Sequence, residues 1–256
     1  MPHKDSPTAP TIKAATSADL TTALRSGLAD FLRHPWLSMF FGAFYVMLGY
    51  IIVYALFVSG RSWAAIPFAI GFPLVAPFVA AGLYDISRRI EQGQPVSFSD
   101  VLGVVWRQKG RELGWMAFTV LFVFWIWIYQ VRLLIALLLP GIALSSSSAF
   151  MEAVLYSSDG WVFLGIGTLV GAIISTALFC VTVISLPLLL DRELDFITAM
   201  ITSVRAVAAS PATMLVWGIS IATALFFAML PGFLGLVAVL PIVGHASWHL
   251  YRRIIS

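Results

Sequence analysis

Residues 37–58 decide the fold class of this chain. They read Leu-Ser-Met-Phe-Phe-Gly-Ala-Phe-Tyr-Val-Met-Leu-Gly-Tyr-Ile-Ile-Val-Tyr-Ala-Leu-Phe-Val and contain no charged residue. A hydrocarbon core of about 30 Å is crossed by roughly 20 apolar residues in a helix, so this run predicts a membrane span. The whole chain has the same character, since 60% of its 256 residues are hydrophobic and 11% are charged. That composition lies outside the range of soluble proteins and predicts an integral membrane protein.

The same criterion predicts six transmembrane helices along the chain. The second run carries three prolines, and the fourth is longer than a perpendicular crossing requires. Ten-residue stretches of alternating polarity, which a membrane β-barrel needs, do not occur in the sequence. We therefore predict an all-α, polytopic membrane helical bundle. Its spans are residues 37–58, 63–84, 113–139, 161–190, 213–230 and 232–251.

The distribution of lysine and arginine predicts the orientation of these spans. In the six-span arrangement 13 of the 15 basic residues lie on the side that holds both termini, while Arg61 and Arg132 lie on the other. The positive-inside rule then places both termini in the cytoplasm. The basic residues expected to contact the bilayer or a partner are Arg88, Arg89, Arg107, Lys109, Arg111, Arg252 and Arg253.

The first 16 residues differ from the rest of the chain. They are polar, contain Pro2, Pro7 and Pro10, and lack the apolar core of a cleavable secretory signal. We predict a disordered cytoplasmic tail over residues 1–16 and a single membrane domain over residues 17–256.

A segment with helical periodicity precedes each predicted hairpin. Thr16-x-x-Asp19 is a capping-box pattern at the first, Ser97-x-x-Asp100 opens the second, and Asp191 is expected to cap the third. We predict amphipathic helices that lie in the headgroup plane, the alternative being cytoplasmic extensions that pack on one another. Their periodic positions are Leu20, Leu24, Leu28, Phe31 and Leu32; Val101, Val104, Val105 and Gln108; and Leu194, Ile197, Ile201, Val204 and Ala208.

Prolines and glycines at matched positions indicate a threefold repeat. Pro35 precedes Gly42 by seven residues, as Pro211 precedes Gly218, and Gly110 stands at the proline position of the middle copy. The predicted unit is a cytoplasmic amphipathic helix followed by a transmembrane hairpin, three times over.

Two histidines are candidates for chemistry. His245 and His249 are four residues apart and share one face of the sixth span, but a zinc protease needs glutamate where Ala246 stands. Asp191 or Glu193 from a neighbouring hairpin could complete a metal site. The favoured interpretation is that the histidines are interfacial anchors, so we expect no metal or other cofactor and no enzymatic activity.

Gln130 and Arg132 interrupt the third span. An intramembrane arginine costs about 2.5–3.5 kcal/mol on insertion scales unless it is paired or snorkels. Arg132 lies about 28 Å along the helix from Leu113, which favours snorkelling to the exoplasmic interface over a buried role. Gln130 fits a hydrogen bond between helices in either case.

The C-terminal region carries the most specific pattern in the chain. Residues 185–196 read Ser-Leu-Pro-Leu-Leu-Leu-Asp-Arg-Glu-Leu-Asp-Phe, residues 199–207 read Ala-Met-Ile-Thr-Ser-Val-Arg-Ala-Val, and residues 240–253 read Leu-Pro-Ile-Val-Gly-His-Ala-Ser-Trp-His-Leu-Tyr-Arg-Arg. With Gly-Leu-Tyr-Asp at 82–85, these segments resemble the DUF2189 family of uncharacterised bacterial integral membrane proteins. Some members are labelled cytochrome c oxidase subunit I, but a haem-copper subunit needs about six histidines in its spans and this chain has four in all. The resemblance implies a multi-pass protein of the bacterial inner (plasma) membrane. For function it implies at most an association with a respiratory oxidase.

Two classes of function follow from these features. The first is a non-catalytic accessory or assembly subunit of a respiratory (terminal oxidase) complex, because apolar spans rich in Trp and Phe suit contact with lipid and partner helices. The charge is too dilute for nucleic-acid binding, so the expected partners are the bilayer and other membrane proteins. The alternative is a small transporter or channel, which requires polar groups that face one cavity. Its candidate residues are Gln130, Arg132, Ser175, Thr176 and Ser185.

Overall fold

The computed structural model describes residues 10–59, 76–108, 112–141 and 147–256. The regular elements in these ranges are α-helices, which confirms the all-α prediction. In chain order they are α1 (Ser17–Arg33), α2 (Pro35–Val58), α3 (Ala76–Glu91), α4 (Phe98–Gln108), α5 (Glu112–Leu138), α6 (Ser147–Tyr156), α7 (Ser158–Thr182), α8 (Ser185–Asp191), α9 (Phe196–Ala209), α10 (Pro211–Met229) and α11 (Leu236–Ile254).

Four helical segments within the described ranges are long and apolar enough to cross a membrane. They are α2, α5, the continuous segment formed by α7 and α8, and α10. These segments coincide with the predicted first, third, fourth and fifth spans. The prediction of several membrane-spanning helices is therefore confirmed.

The complete six-span arrangement stays a prediction. Much of the second predicted span lies outside the described residues, and the structure describes its end as part of α3. The sixth predicted span begins with a turn in which Gly232 has a φ of +62°, as the Pro-Gly pattern indicates, and continues as α11. α11 carries polar residues on its buried face and two arginines in its last turn, so it is less apolar than the other four.

Prolines begin two of the spans in the same way. Pro35 and Pro211 occupy the first turn of α2 and α10, where the missing N–H of proline leaves no helical hydrogen bond unmade. The residues before them, His34 and Ser210, have φ/ψ of −131°/58° and −151°/64°, outside the helical region as expected before proline. The two corners therefore share one backbone geometry, in agreement with the predicted repeat.

The amphipathic helix α1 packs through its small and acidic residues. Ala23, Gly27 and Asp30 are buried, largely against α11, while Leu28 and Leu32 are 45% and 66% exposed. Leu24, Leu28 and Leu32 of the periodic apolar face thus point away from the protein, where a membrane interface would cover them, while Leu20 is buried in the core.

The third amphipathic helix, α9, shows the same arrangement. Ala199, Ser203 and Ala206 are buried, while Ile197 and Ile201 are exposed. Both helices therefore favour the headgroup-plane interpretation, since their apolar faces are free to contact lipid while small residues contact the bundle.

Each amphipathic helix packs on a helix that the predicted repeat assigns to a different unit. α1 packs on α11, α4 on α3, and α9 on α7 and α8. The repeat itself stays a prediction.

Helix caps match two of the three predictions. Thr16 and Asp19 form the capping box of α1, and the Ser97 hydroxyl accepts a hydrogen bond from the backbone N–H of Asp100 at the start of α4. The prediction that Asp191 caps the third amphipathic helix is wrong. Asp191 is the last residue of α8, and Asp195 caps α9 by accepting a backbone hydrogen bond in its first turn.

The described part of the predicted tail is paired with the other end of the chain. Ile12 forms an antiparallel bridge with Ile255, and the backbone nitrogen of Lys13 donates to the carbonyl of Ile254 at 2.9 Å. Residues 1–9 lie outside the described residues. The pairing places the segment before α1 beside the C-terminus.

Candidate functional site

Five polar side chains from four helices meet in the interior of the bundle. They are Asp30 of α1, Ser38 of α2, Ser87 of α3, and His245 and His249 of α11, and we call them the buried polar cluster. Four of them are buried, and His249 is half-buried. A buried polar group is stable only when it is hydrogen-bonded, and each of the five bonds to another member.

Glycines allow these helices to approach closely enough for the cluster to form. A Cβ on Gly27 would lie 2.5 Å from the backbone nitrogen of Ala246, and a Cβ on Gly244 would lie 2.7 Å from a leucine of α3. The first separation is too short for any side chain, and the second would require the Leu83 side chain to shift. Asp30 and His249 each lie about one turn from the Gly27–Ala246 contact, so the close approach of the two helices brings their side chains within hydrogen-bond distance.

His245 lies at the centre of the cluster and has no exposed surface. Its Nε2 is 2.9 Å from the Ser38 hydroxyl and its Nδ1 is 2.8 Å from the Ser87 hydroxyl. A neutral imidazole donates from one ring nitrogen and accepts at the other, and a serine hydroxyl can take either role. Both ring nitrogens are therefore satisfied without a net charge. The prediction that His245 is an interfacial anchor is wrong, because helices distant in sequence cover its ring.

Asp30 connects the cluster to His249. The Oδ2 of Asp30 lies 2.7 Å from Nε2 of His249, and Ser87 also donates to this carboxylate. Burial alone would raise the pKa of Asp30, but the hydrogen bonds from His249 and Ser87 outweigh that effect and hold the pKa below its usual value. Asp30 is therefore ionised at neutral pH.

A layer of ion pairs covers the end of the bundle next to the cluster. Asp85 is fully buried, and its two oxygens accept from Arg88 at 2.5 Å and from Arg89 at 2.8 Å. Arg88 also donates to the carbonyl of Leu190 at 2.8 Å, which ties α3 to α8. A buried carboxylate of this kind depends on its partners to offset the loss of hydration.

The C-terminal arginines complete this layer. Arg252 contacts Glu91 at 3.0 Å and Asp191 at 3.3 Å, and Arg253 contacts Asp19 at 2.8 Å. These five residues join α1, α3, α8 and α11, and we call the end of the bundle that they occupy the charged end.

These pairs change the electrostatics of the predicted basic surface. The side chains of Arg88, Arg89, Arg252 and Arg253 each face carboxylates of the chain itself, which reduces the attraction that they exert on an anionic lipid. The other predicted members, the Arg107 side chain, Lys109 and Arg111, lie outside what the structure describes. The role of this set in membrane or partner binding stays a prediction.

The structure does not assemble the candidate metal ligands around the histidines. Asp191 accepts a hydrogen bond from the Tyr251 hydroxyl at 2.6 Å and pairs with Arg252, while Glu193 is exposed. Within residues 10–59, 76–108, 112–141 and 147–256, no group of three His, Cys, Asp or Glu side chains could hold a metal ion.

The residues proposed to line a transport pathway do not converge on one cavity. Arg132, Ser175 and Thr176 are exposed on the outer surface, as snorkelling requires for the arginine, and Gln130 is half-buried. Ser185 is buried but donates its hydroxyl to a carbonyl of its own helical segment.

The outer surface of α5 carries a row of exposed aromatic side chains that sequence analysis did not single out. They are 46–61% exposed, and the centroids of successive rings lie 5.2–6.5 Å apart. Their spacing alternates between three and four residues, which aligns them along one face of a helix. This aromatic row consists of Trp115, Phe118, Phe122, Trp125 and Tyr129.

The helical architecture and its apolar spans define an integral membrane protein. A family model described as a predicted integral membrane protein (DUF2189) matches residues 65–191, a segment that contains α3 to α8. The family resemblance inferred from the sequence is confirmed over that segment, while the C-terminal histidine motif lies beyond it. Neither the curated proteins nor the solved structures include a match to this chain.

Proposed function

We propose that this protein is a non-catalytic accessory or assembly subunit that binds another integral membrane protein through the aromatic row of α5. The observation that carries the proposal is the position of Trp125. It follows Glu112 by 13 residues, about 20 Å along a 27-residue helix, and its side chain is 57% exposed. Trp125 therefore lies near the middle of the span and faces outward.

Tryptophan in membrane proteins is concentrated at the two interfaces, where its indole N–H reaches water or headgroups. At the middle of the bilayer, lipid chains offer that N–H no acceptor. A partner helix supplies both an acceptor and the apolar surface that an aromatic ring buries well. The mid-span position of Trp125 thus favours a protein partner over lipid.

The spacing of the aromatic row supports a helical partner. Positions that alternate three and four residues apart repeat every 3.5 residues on average, which is the pattern that keeps one face of a helix in register with a second helix. A row that begins at Trp115 and ends at Tyr129 offers contact over about 21 Å.

The polar groups of the described residues support a non-catalytic role. Members of the buried polar cluster form hydrogen bonds to one another, and the residues proposed to line a transport pathway do not share a cavity. The transporter or channel alternative therefore has no specific observation in its favour.

Location and partner complete the proposal. We place the protein in the bacterial inner membrane, as the family resemblance implies, and both termini in the cytoplasm, on the distribution of basic residues. Association with a terminal oxidase, implied by the label of some family members, is the most specific form of the proposal.

The proposal is tested by purifying the tagged protein from its native membrane in a mild detergent and identifying stoichiometric partners by mass spectrometry. The variant Phe122→Ala with Trp125→Ala removes the centre of the aromatic row. The matched control is Phe226→Ala with Phe227→Ala, which removes two exposed aromatic rings from α10. We expect the α5 variant to lose a membrane partner that the α10 variant retains. Retention of every partner by both variants, or no stoichiometric partner of the parent protein, would contradict the proposal. Oxidase subunits among the lost partners would support the respiratory form.

A further inference from the structure

A groove of about 500 Å³ opens where α1 meets α2, opposite the start of α4. Arg33 and His34 line one part of it, and Trp36, Phe40 and Phe98 form an aromatic wall. The Phe40 and Phe98 rings meet edge to face with centroids 4.6 Å apart, so the wall joins α2 to α4. This volume is within the range of ligand pockets.

From the order of these elements we expect the two parts of the groove to lie at different depths of the membrane. Arg33 ends α1 two residues before Pro35, where the α2 span begins, so we expect its guanidinium at headgroup level. Trp36 and Phe40 belong to the first turns of that span and extend toward the hydrocarbon. Trp36 is 82% exposed, so the groove is open on its outer side.

Within the described residues, no carboxylate compensates the charge of the groove. No Asp or Glu side chain lines it, and within the described residues Arg33 has no ion pair. Arg33 therefore differs from Arg88, Arg89, Arg252 and Arg253, whose charges face carboxylates. A free cation above an aromatic wall is complementary to a ligand with an anionic head and an apolar chain.

We propose that this groove binds one anionic phospholipid, with its phosphate at Arg33 and His34 and an acyl chain along Phe40 and Phe98. Guanidinium and imidazole N–H groups donate hydrogen bonds to phosphate oxygens. The aromatic wall takes the place of the neighbouring lipids that the acyl chain contacts in the bilayer. None of the residues that line the groove belongs to the aromatic row, so the site does not depend on the proposed function.

Native mass spectrometry of the full chain in detergent tests the part of the site that is proposed to bind the phosphate. The protein is titrated with phosphatidylglycerol or with phosphatidylcholine of the same acyl chains. We expect the parent protein to bind one phosphatidylglycerol in preference to phosphatidylcholine. Arg33→Gln is expected to weaken the binding of phosphatidylglycerol about fivefold, which corresponds to the attraction of one arginine to an anionic surface. The matched control is Arg25→Gln, which removes an exposed arginine of α1 outside the groove and is expected to leave binding unchanged. Equal binding of the two lipids by the parent protein, or equal effects of the two variants, would overturn the proposal.

The wall of the site is tested with Phe40→Ala and its control Phe44→Ala, which lies one turn further along α2 and outside the groove. We expect Phe40→Ala to weaken the binding of both lipids and Phe44→Ala to weaken the binding of neither. Circular dichroism checks the fold of each variant. A photoreactive residue at position 36 then identifies the occupant in native membranes. Cross-links to phospholipid support the proposal, whereas cross-links only to a protein or to a second copy of this chain overturn it.

Discussion

Gly27 of α1 lies directly against the backbone of Ala246 in α11, so that a Cβ on the glycine would be 2.5 Å from the alanine nitrogen. The two helices therefore meet backbone to backbone. Asp30 and His249 form their 2.7 Å hydrogen bond on the adjacent turns of the same two helices. The approach at Gly27 is thus the contact on which the link between α1 and the buried polar cluster depends.

Replacing Gly27 with alanine is expected to destabilise the protein by about 1–3 kcal/mol, because the new methyl group overlaps backbone atoms that cannot move aside. Thermal unfolding in detergent measures the effect. The matched control is Gly165→Ala in α7, where a Cβ has no atom within 4 Å. This control should be neutral or stabilising by up to about 1 kcal/mol, since alanine is the better helix former. Equal midpoints for the two variants would show that α1 is not packed on α11 as described.

Asp85→Asn is expected to destabilise the protein by about 3 kcal/mol. The substitution removes the buried negative charge that Arg88 and Arg89 share, and an uncompensated charge in a partly buried site is costly. Denaturant or thermal unfolding measures the loss. Glu152→Gln changes an exposed carboxylate of α6 and should stay within about 0.5 kcal/mol of the parent. A small effect of Asp85→Asn would mean that solvent reaches both arginines.

The contacts within the buried polar cluster predict that the effects of its substitutions on the free energy of unfolding are not additive. His245→Leu leaves the hydroxyls of Ser38 and Ser87 without the ring nitrogens that they contact, and is expected to cost about 2–3 kcal/mol. Adding Ser38→Ala removes a hydroxyl that has lost its partner and should restore part of the stability, whereas Ser87 still donates to Asp30 and is left in place. The midpoints of the single and double variants measure the recovery. A double variant less stable than His245→Leu would show that Ser38 has another role in the fold.

Local features of the fold could be predicted because their determinants are close in sequence. The apolar runs locate spans, proline at 35 and 211 locates their first turns, and Thr16 with Asp19 locates the start of α1. Each depends on residues within one helix or one turn.

The buried polar cluster could not be predicted, since its members come from four helices. Asp30 and His249 are 219 positions apart, and nothing in either segment identifies the other. The face by which α1 packs carries no apolar periodicity of its own, so its partner helix was not deducible. In a membrane the apolar face contacts lipid, so the leucine row shows which side faces outward while small residues such as Gly27 form the packing face.

The lowered pKa of Asp19 predicts that the protein loses stability in acid. Its hydrogen bond from Thr16, with a further contribution from Arg253 and against the opposing effect of burial, lowers its pKa from 3.8 to about 2. Because the pKa is lower in the folded state, the stabilisation is complete above the ordinary value and is lost as pH falls from about 4 to about 2. Thermal midpoints of the parent and Asp19→Asn should therefore differ at pH 6 and converge toward pH 2. Glu152→Gln serves again as the control, and a constant difference across this range would contradict the assigned pKa.

The last prediction concerns topology, and contacts at the charged end give it a structural basis. Arg252 lies beside Glu91 at the end of α3 and Asp191 at the end of α8, so those two helices and α11 end at the same face. Glu112 at the start of α5 accepts a hydrogen bond from the backbone N–H of Phe196 at the start of α9, which places the beginning of a span next to them.

From that face α5 extends about 40 Å before it ends. Reporters fused after Ser256 and near Gln94 are therefore expected to be cytoplasmic, and a reporter near Ser147, beyond the far end of α5, exoplasmic. Paired alkaline phosphatase and fluorescent-protein fusions make the measurement, with the fusion after Ser256 as the internal reference. A cytoplasmic signal near Ser147 would exclude the six-span arrangement, and an exoplasmic signal near Gln94 would show that the chain does not return across the membrane between α2 and α3.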